Sequence, residues 1–355
     1  MKAGKYFHER EKPVFPPEIR RHKALLRRLL RMMTVLLLAL VVGGLRASAE
    51  PMIVTGRVIT AFRPGSSQKV FGKLEFLGGL VMTSPNSRFG GWSSIRFRDD
   101  GRHFIGVLDT GHWLSGEIER DAAGRLSGLT GLSIAAMRDR AGKTNAAKAE
   151  MDAESLAIRG DKIYVGFERR HRIDQYPLEG FETARPERSL PLPFPRSVLA
   201  SNQSLETLTA SPPAGPLGGG LVTVTERSLD ENGQLWAGIV DGPKTGSFKV
   251  AHPDDFDVTD GAWLPNGDLL LLERRFHLLT GLAIRIVRLR GKDIAAGAEV
   301  KGETLMQADA GFEIDNMEGL DVIDKGQGDL RLILVSDDNN SPLQRSLMLE
   351  FRLLP

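Results

Sequence analysis

An all-β fold built from repeated hairpins is what this 355-residue sequence predicts. Three observations carry the prediction. From Val54 onward apolar and polar residues alternate, as in "SIRFRDDGRHFIGVLD", "AWLPNGDLLLLE" and "LDVIDKGQGDLRLILVSD". Turn pairs such as Asp100-Gly101 and Asn266-Gly267 divide these runs, which is the pattern of antiparallel hairpins. No long helical period follows the first fifty residues. The hairpins also recur at a nearly constant interval, the sign of a repeat architecture.

The first segment is of another kind. "RRHKALLRRLLRMM" is basic, "TVLLLALVVGGL" is apolar over twelve residues, and "ASAE" places Ala47 and Ala49 at the small positions of an A-x-A cleavage site. Residues 1–49 therefore read as a signal peptide, a helix with a long basic n-region, cut after Ala49. The protein is expected in the periplasm or secreted. The apolar run is shorter than the ~20 residues of a membrane span, and an uncleaved anchor is the alternative and the only membrane contact expected. The absence of cysteine excludes disulfides, thiolate metal sites and a cysteine nucleophile. It is compatible with a bacterial periplasm, where disulfides are permitted but not obligatory. Residues 1–49 hold 11 Lys and Arg and 3 Asp and Glu, so residues 50–355 keep 36 bases against 42 acids. The domain is acidic, and the formal +2 of the whole chain is no argument for nucleic acid.

Five hairpins align within residues 50–355. The first is "GGWSSIRFRDDGRHFIGVLDTGHW", the second "MDAESLAIRGDKIYVGFERR", and the third "SLETLTASPPAGPLGGGLVTVTERS". The fourth is "VTDGAWLPNGDLLLLERRF" and the fifth "NMEGLDVIDKGQGDLRLILVSDDNN". In four of them the first strand opens on an acid, at Glu154, Glu206, Asp260 and Glu318, with spacings of 52, 54 and 58 residues. The first hairpin has Ser93-Ser94 there. The second strands end on Asp109, Glu168, Glu226, Glu273 and Asp337, and Arg169, Arg227 and Arg274 follow the middle three. Two further strands fit between hairpins, for instance "WLSGEIERD" and "LTGLSIAAM". The unit is then a four-stranded blade and the architecture a β-propeller. "SLMLEFRLL" supplies a third strand to the last blade, and Lys73–Met82 its fourth, closing the ring. Five blades are counted, six if residues 51–90 hold more of a blade. A pair of β-sandwiches is the alternative.

The same stretches, "GGWSSIRF", "DAESLAI … VGFERR", "NQSLETLT … VTERS", "DGAWLPNGDLLLLERRF" and "NMEGLDV … LVSDDN", resemble the phytase-like family, also described as esterase-like activity of phytase, over about residues 65–353. The resemblance implies a propeller rich in recurring Asp and Glu and a phosphoester hydrolase activity, and six blades would fit it too. Calcium-dependent propeller phytases are a more distant analogy.

Antiparallel pairing brings the start of each first strand and the end of each second strand to one rim. Asp109, Glu154, Glu206, Asp260, Glu318 and Asp337 are accordingly the candidate ligands for a divalent cation such as Ca²⁺, which prefers oxygen. Arg169, Arg227 and Arg274 are candidates to grip a phosphoester through their planar forks, and His112 to serve as general acid. In the competing reading, each Glu pairs with the Arg of the next blade and only fixes blade packing, leaving a propeller that binds a small molecule or a protein without catalysis. His171 and His277 match no zinc spacing. Ser93 and Ser94 lack the G-x-S-x-G setting of a serine hydrolase. Ser336–Pro342 is rich in oxygen ligands without EF-hand spacing, and Ser211–Gly220 is a flexible excursion inside the third hairpin. Neither oligomeric state nor substrate is encoded legibly.

Overall fold

A computed structural model describes residues 49–144 and 147–355. The expected signal peptide falls on residues outside that range, apart from Ala49. Ala47–Pro355 forms one compact unit, and it is a five-bladed propeller: five antiparallel sheets of 5, 4, 5, 4 and 6 strands follow one another along the chain. Six blades and the sandwich pair are both excluded. The strands nearest the axis are Trp92–Phe97, Ala153–Arg159, Thr207–Ala210, Asp257–Trp263 and Asn316–Asp324 in blades 1 to 5. Each contacts the next, and the last contacts the first. In the fifth blade Ser346–Leu353 pairs with Leu74–Thr83, so a strand from early in the chain completes the sheet begun near its end. Short additions widen three blades. Glu50–Pro51 extends blade 1, Glu299–Val300 lies parallel on blade 3, and Thr55–Ile59 edges blade 5.

Blade sheets are buried on both faces, which explains why some strands are apolar throughout. In Leu269–His277, Leu269 and Leu271 enter the cluster shared with blade 3, while Leu270 and Leu272 enter the one shared with blade 5. Five apolar clusters fill the five blade interfaces in this way. Burying such side chains contributes roughly 1.5–3 kcal/mol each.

At the axis the packing is ionic. Arg96, on the inner strand of blade 1, grips both oxygens of Asp260 from blade 4 at 2.8 and 2.9 Å. Its remaining N–H groups reach the carbonyls of Ile95, Leu208, Gly261 and Leu320. Asp260 also accepts from Ser94 Oγ and from the backbone of Leu320. Both side chains are buried, so neither charge has water as an alternative partner. Removing one partner of such a pair costs about 3–5 kcal/mol. Asp260→Ala is therefore expected to lower unfolding stability by that amount in a denaturant titration, whereas Asp161→Ala, at an exposed turn between strands, changes it by less than about 0.5 kcal/mol.

Candidate functional site

The inner strands share a local irregularity that builds the site. In blade 1 the ladder steps from Trp92 to Ser94, in blade 2 from Ala153 to Ser155, in blade 4 from Val258 to Asp260, and in blade 5 from Met317 to Gly319. Each step leaves one residue of the inner strand unpaired: Ser93, Glu154, Thr259 and Glu318. In blade 3 the strand starts at Thr207 and Glu206 precedes it. These β-bulges re-aim side chains at the rim. Two residues beyond the partner of the residue that follows the bulge stand Asp109, Glu168, Arg274 and Asp337, and Glu226 stands two beyond the partner of Thr207.

This register corrects the alignment of blade 4. The equivalent of Glu154 is Thr259, and the equivalent of Glu168 is Arg274. Asp260 and Glu273 each fall one position away, and a one-residue slip reverses the face of a strand. Asp260 is thus the axial partner of Arg96 and does not join the rim acids. Glu273 turns to Arg285.

A cavity of about 330 Å³ opens between these strand ends. Asp109, Glu154, Glu206, Glu318 and Asp337 line it as expected, joined by Asp152, Glu168 and Glu226, with Arg169, Arg274 and Lys148 as the basic groups. Eight carboxylates thus face three cations. Ser93, Asn202, Gln203, Asn316 and Asn339 fill the gaps. Arg227 instead binds Asp257 of blade 4 at 2.9 Å and is absent from the cavity wall, because it lies one position beyond the wall residue Glu226. His112 is likewise absent from the wall. Its Nδ1 lies 3.1 Å from Thr110, and burial depresses its pKa.

The basic groups are already engaged. Arg274 reaches Glu226 of blade 3 at 3.3 Å and Glu318 of blade 5 at 3.2 Å, bridging three blades. Arg169, with φ at 53°, stays within its own blade on Asp152 at 2.6 Å. Lys148, on a single helical turn Lys148–Met151, binds Asp109 at 2.5 Å. Neighbour-blade pairing therefore holds for Arg274 and Arg227, while Glu154, Glu168 and Glu206 have no basic partner among the described residues. Glu168 accepts from the Ser204 backbone and hydroxyl.

One oxygen each from Glu168, Glu206 and Glu226 lies within 4.8 Å of the others. That spacing suits ligands of one cation with oxygen contacts of ~2.4 Å. Glu206 is 8% exposed and Glu226 7%, so both are nearly removed from solvent. Burial, then the neighbouring carboxylates, pushes Glu154 and Glu206 well above the usual carboxylate range. Burial pushes Glu226 up to about 8 against the opposing charge of Arg274, and Asp337 up to about 7. Glu168 and Glu318 are raised as well. Carboxylates raised in this way bind protons in competition with a divalent ion.

Lys148, Asn202 and Gln203 were not singled out by the strand pattern, because they lie outside the inner and second strands, whereas Asn339 falls in the oxygen-rich stretch Ser336–Pro342. The residues just ahead of each inner strand, "DAE" and "NQSLE", were the available signal.

The phytase-like family, described as esterase-like activity of phytase, matches residues 87–340. No curated protein matches. Among solved structures, the glutaminyl cyclase of Myxococcus xanthus is 12% identical, with a TM-score of 0.40, over 86% of this chain and 100% of that one. The PQQ-bound aldose sugar dehydrogenase of Streptomyces coelicolor is 12% identical, with a TM-score of 0.40, over 85% and 99%. Neither bears on the chemistry of the site.

Folded-state pKa values raised above the unfolded ones give stability that is present below the unfolded value and lost as pH rises through the folded one. For Glu226 and Asp337 that window runs from about 4 to about 8. With chelator present, unfolding stability should fall as pH rises from 5 to 8, on the order of 1 kcal/mol or more per group, read as a falling melting temperature. Calcium should flatten the slope. A rising or flat profile in chelator would contradict the electrostatics described above.

Proposed function

The chain belongs to the phytase-like family, and on that premise we propose that it is a divalent-cation-dependent phosphoester hydrolase working at the acidic mouth of the propeller. The observation that carries this reading is the Glu168–Glu206–Glu226 cluster, buried, without a basic partner on Glu168 or Glu206, and open to the cavity. These three residues would hold the ion. A bound cation supplies charge neutralisation and lowers the pKa of its water. Were all the lining acids ionised, eight carboxylates against three bases would repel a phosphate, so cation loading is a condition of substrate entry.

The chain's own groups do the rest. Arg274, fixed from two sides by Glu226 and Glu318, keeps its guanidinium at the wall and donates to phosphate oxygens. Arg169 sits half-exposed at the opening and orients the same group. Glu154, half-buried and raised well above the usual carboxylate range by burial and its acidic neighbours, would give a proton to the leaving alkoxide. This role moves from His112, which lies outside the cavity. We place the protein outside the cytoplasm, on the basic–apolar–A-x-A order of residues 1–49. Binding without catalysis is the second reading, favoured by the three-blade bridge of Arg274.

Calcium titration calorimetry on residues 47–355, with p-nitrophenyl phosphate turnover in the same buffer, tests both. Saturable binding and chelator-sensitive turnover are expected. Glu206→Gln and Glu226→Gln should each weaken calcium by at least about tenfold, the scale of losing a metal-supporting group. Binding without turnover would leave the second reading, and no binding would remove both the cation and the hydrolase. Glu154→Gln should lower turnover while leaving calcium affinity within about twofold, if its task is proton transfer.

A further inference from the structure

The inner strands have a second end. Past the Arg96–Asp260 pair, on the side away from the acidic mouth, they close on a further cavity of about 370 Å³. Phe97, Ile158, Ala210, Trp263 and Val322 line it, each within the last three residues of its inner strand. Arg96 itself belongs to the wall.

One side of this cavity is an addition of blade 3. Between inner and second strands the other blades use residues 98–102, 160–161, 264–268 and 325–329, whereas blade 3 uses 211–220. Ser211–Gly220, expected as a flexible excursion, is tied down at three points. Its stem closes through the Ser211 N–H on the Gly220 carbonyl at 2.9 Å. Leu217 is fully buried in the cluster between blades 3 and 4. Pro216 packs on Gly267 of blade 4, where an added Cβ would lie 2.5 Å from its Cδ. Held in this way, the loop presents Pro212 and Pro213 to the cavity beside Trp263 and Pro265.

Three lining residues carry a buried donor with no partner among the described residues: Arg96 at Nε, Ser211 at Oγ and Trp263 at Nε1. They are 5%, 3% and 8% exposed. Buried polar groups are ordinarily hydrogen-bonded, so three exceptions around one cavity point to a missing acceptor. The wall charges are otherwise met. Arg96 is held by Asp260, and Arg159 by Asp241 at 2.5 Å. Asp321 remains, with one oxygen on the Phe97 backbone at 2.6 Å, and burial pushes it up to about 6. An anion would meet this carboxylate, and a cation would meet two guanidinium groups. A neutral molecule suits the wall better, with an apolar face and with hydroxyls, which both donate and accept.

We propose that this opposite mouth binds a neutral hydroxylated ring of the sugar class. The C–H face of the ring lies against Trp263 and the prolines, and its hydroxyls meet the open donors and Asp321. A mostly apolar lining with a few convergent polar groups is the ordinary make-up of a small-molecule site. The inference does not rest on the hydrolase reading, since none of these residues borders the acidic cavity.

Saturation-transfer difference NMR titrations of residues 47–355, which contain all five blades and the closing strand, test the proposal. Glucose, galactose, N-acetylglucosamine and maltose are the probes. Saturable binding of at least one is expected, and chelator should leave it unchanged. Ser211→Ala and Trp263→Phe each remove one donor, the second keeping an aromatic ring, and Asp321→Asn replaces the carboxylate. Each should weaken the bound probe about fivefold, the scale of one lost hydrogen bond, and Ser211→Ala should melt as the wild type does. No binding of any probe, or equal binding by the wild type, Ser211→Ala and Trp263→Phe, would overturn the proposal. Binding abolished by chelator would overturn it too, by placing the sugar in the acidic mouth. So would tighter binding of benzoate or phenethylammonium than of any sugar, which would assign the cavity to an anion or a cation.

Discussion

The Arg96 guanidinium occupies the place where the inner strands converge, and the ring is organised around what it needs. A buried charge of this kind must be met by a counter-charge and by acceptors for its N–H groups. Asp260 supplies the first from across the axis, and backbone carbonyls of blades 1, 3, 4 and 5 supply the second. Only Nε is left without a partner. Because those carbonyls belong to the inner strands, the pair constrains how far blades may slide or tilt. Apolar packing between blades tolerates small shifts. A bidentate ion pair with four carbonyls does not, since each misplaced acceptor leaves a polar group unpaired. The acidic cavity lies at the strand ends above this fixed hub, and a site built from five separate blades depends on such fixation.

The bulge at the head of the inner strand then decides which residues reach the cavity. It explains both what could be read from the sequence and what could not. Period-two runs and turn pairs are local, so the hairpins, the blade count and the closing strand near Lys73–Met82 were legible. The rim acids of blades 2, 3 and 5 were legible for the same reason, as Glu154, Glu206 and Glu318 each stand two residues ahead of a Leu. Blade 4 misleads because it contains acids one position from the equivalent ones. "TDGAW" and "ERR" resemble the other blades when Asp260 and Glu273 are aligned, yet the ladder selects Thr259 and Arg274. A bulge has no reliable sequence mark, and Arg274 in place of a carboxylate is visible only in the register.

That exchange breaks the fivefold pattern. Blades 1, 2, 3 and 5 place a carboxylate at this position, and blade 4 places the guanidinium that reaches into blades 3 and 5. The acids nearest to Arg274 are moderated by it. Glu154 and Glu206, which have no basic partner among the described residues, are left with burial and mutual repulsion. The cavity therefore sets one guanidinium beside its carboxylate cluster, with Glu226 shared between them, and repetition alone would not have produced that.

The closing strand has a consequence for biogenesis. Leu74–Thr83 must wait, with its hydrogen-bonding edge open, until Ser346–Leu353 emerges some 260 residues later. Contacts this distant in sequence are slow to form. Until they form, neither the first blade nor the fifth has its permanent neighbour, and Asp109 and Asp337 have no common cavity to line. A chain made from its N-terminus cannot assemble the acidic mouth partway through synthesis. Cation binding would then begin only after Ser346–Leu353 has joined the ring.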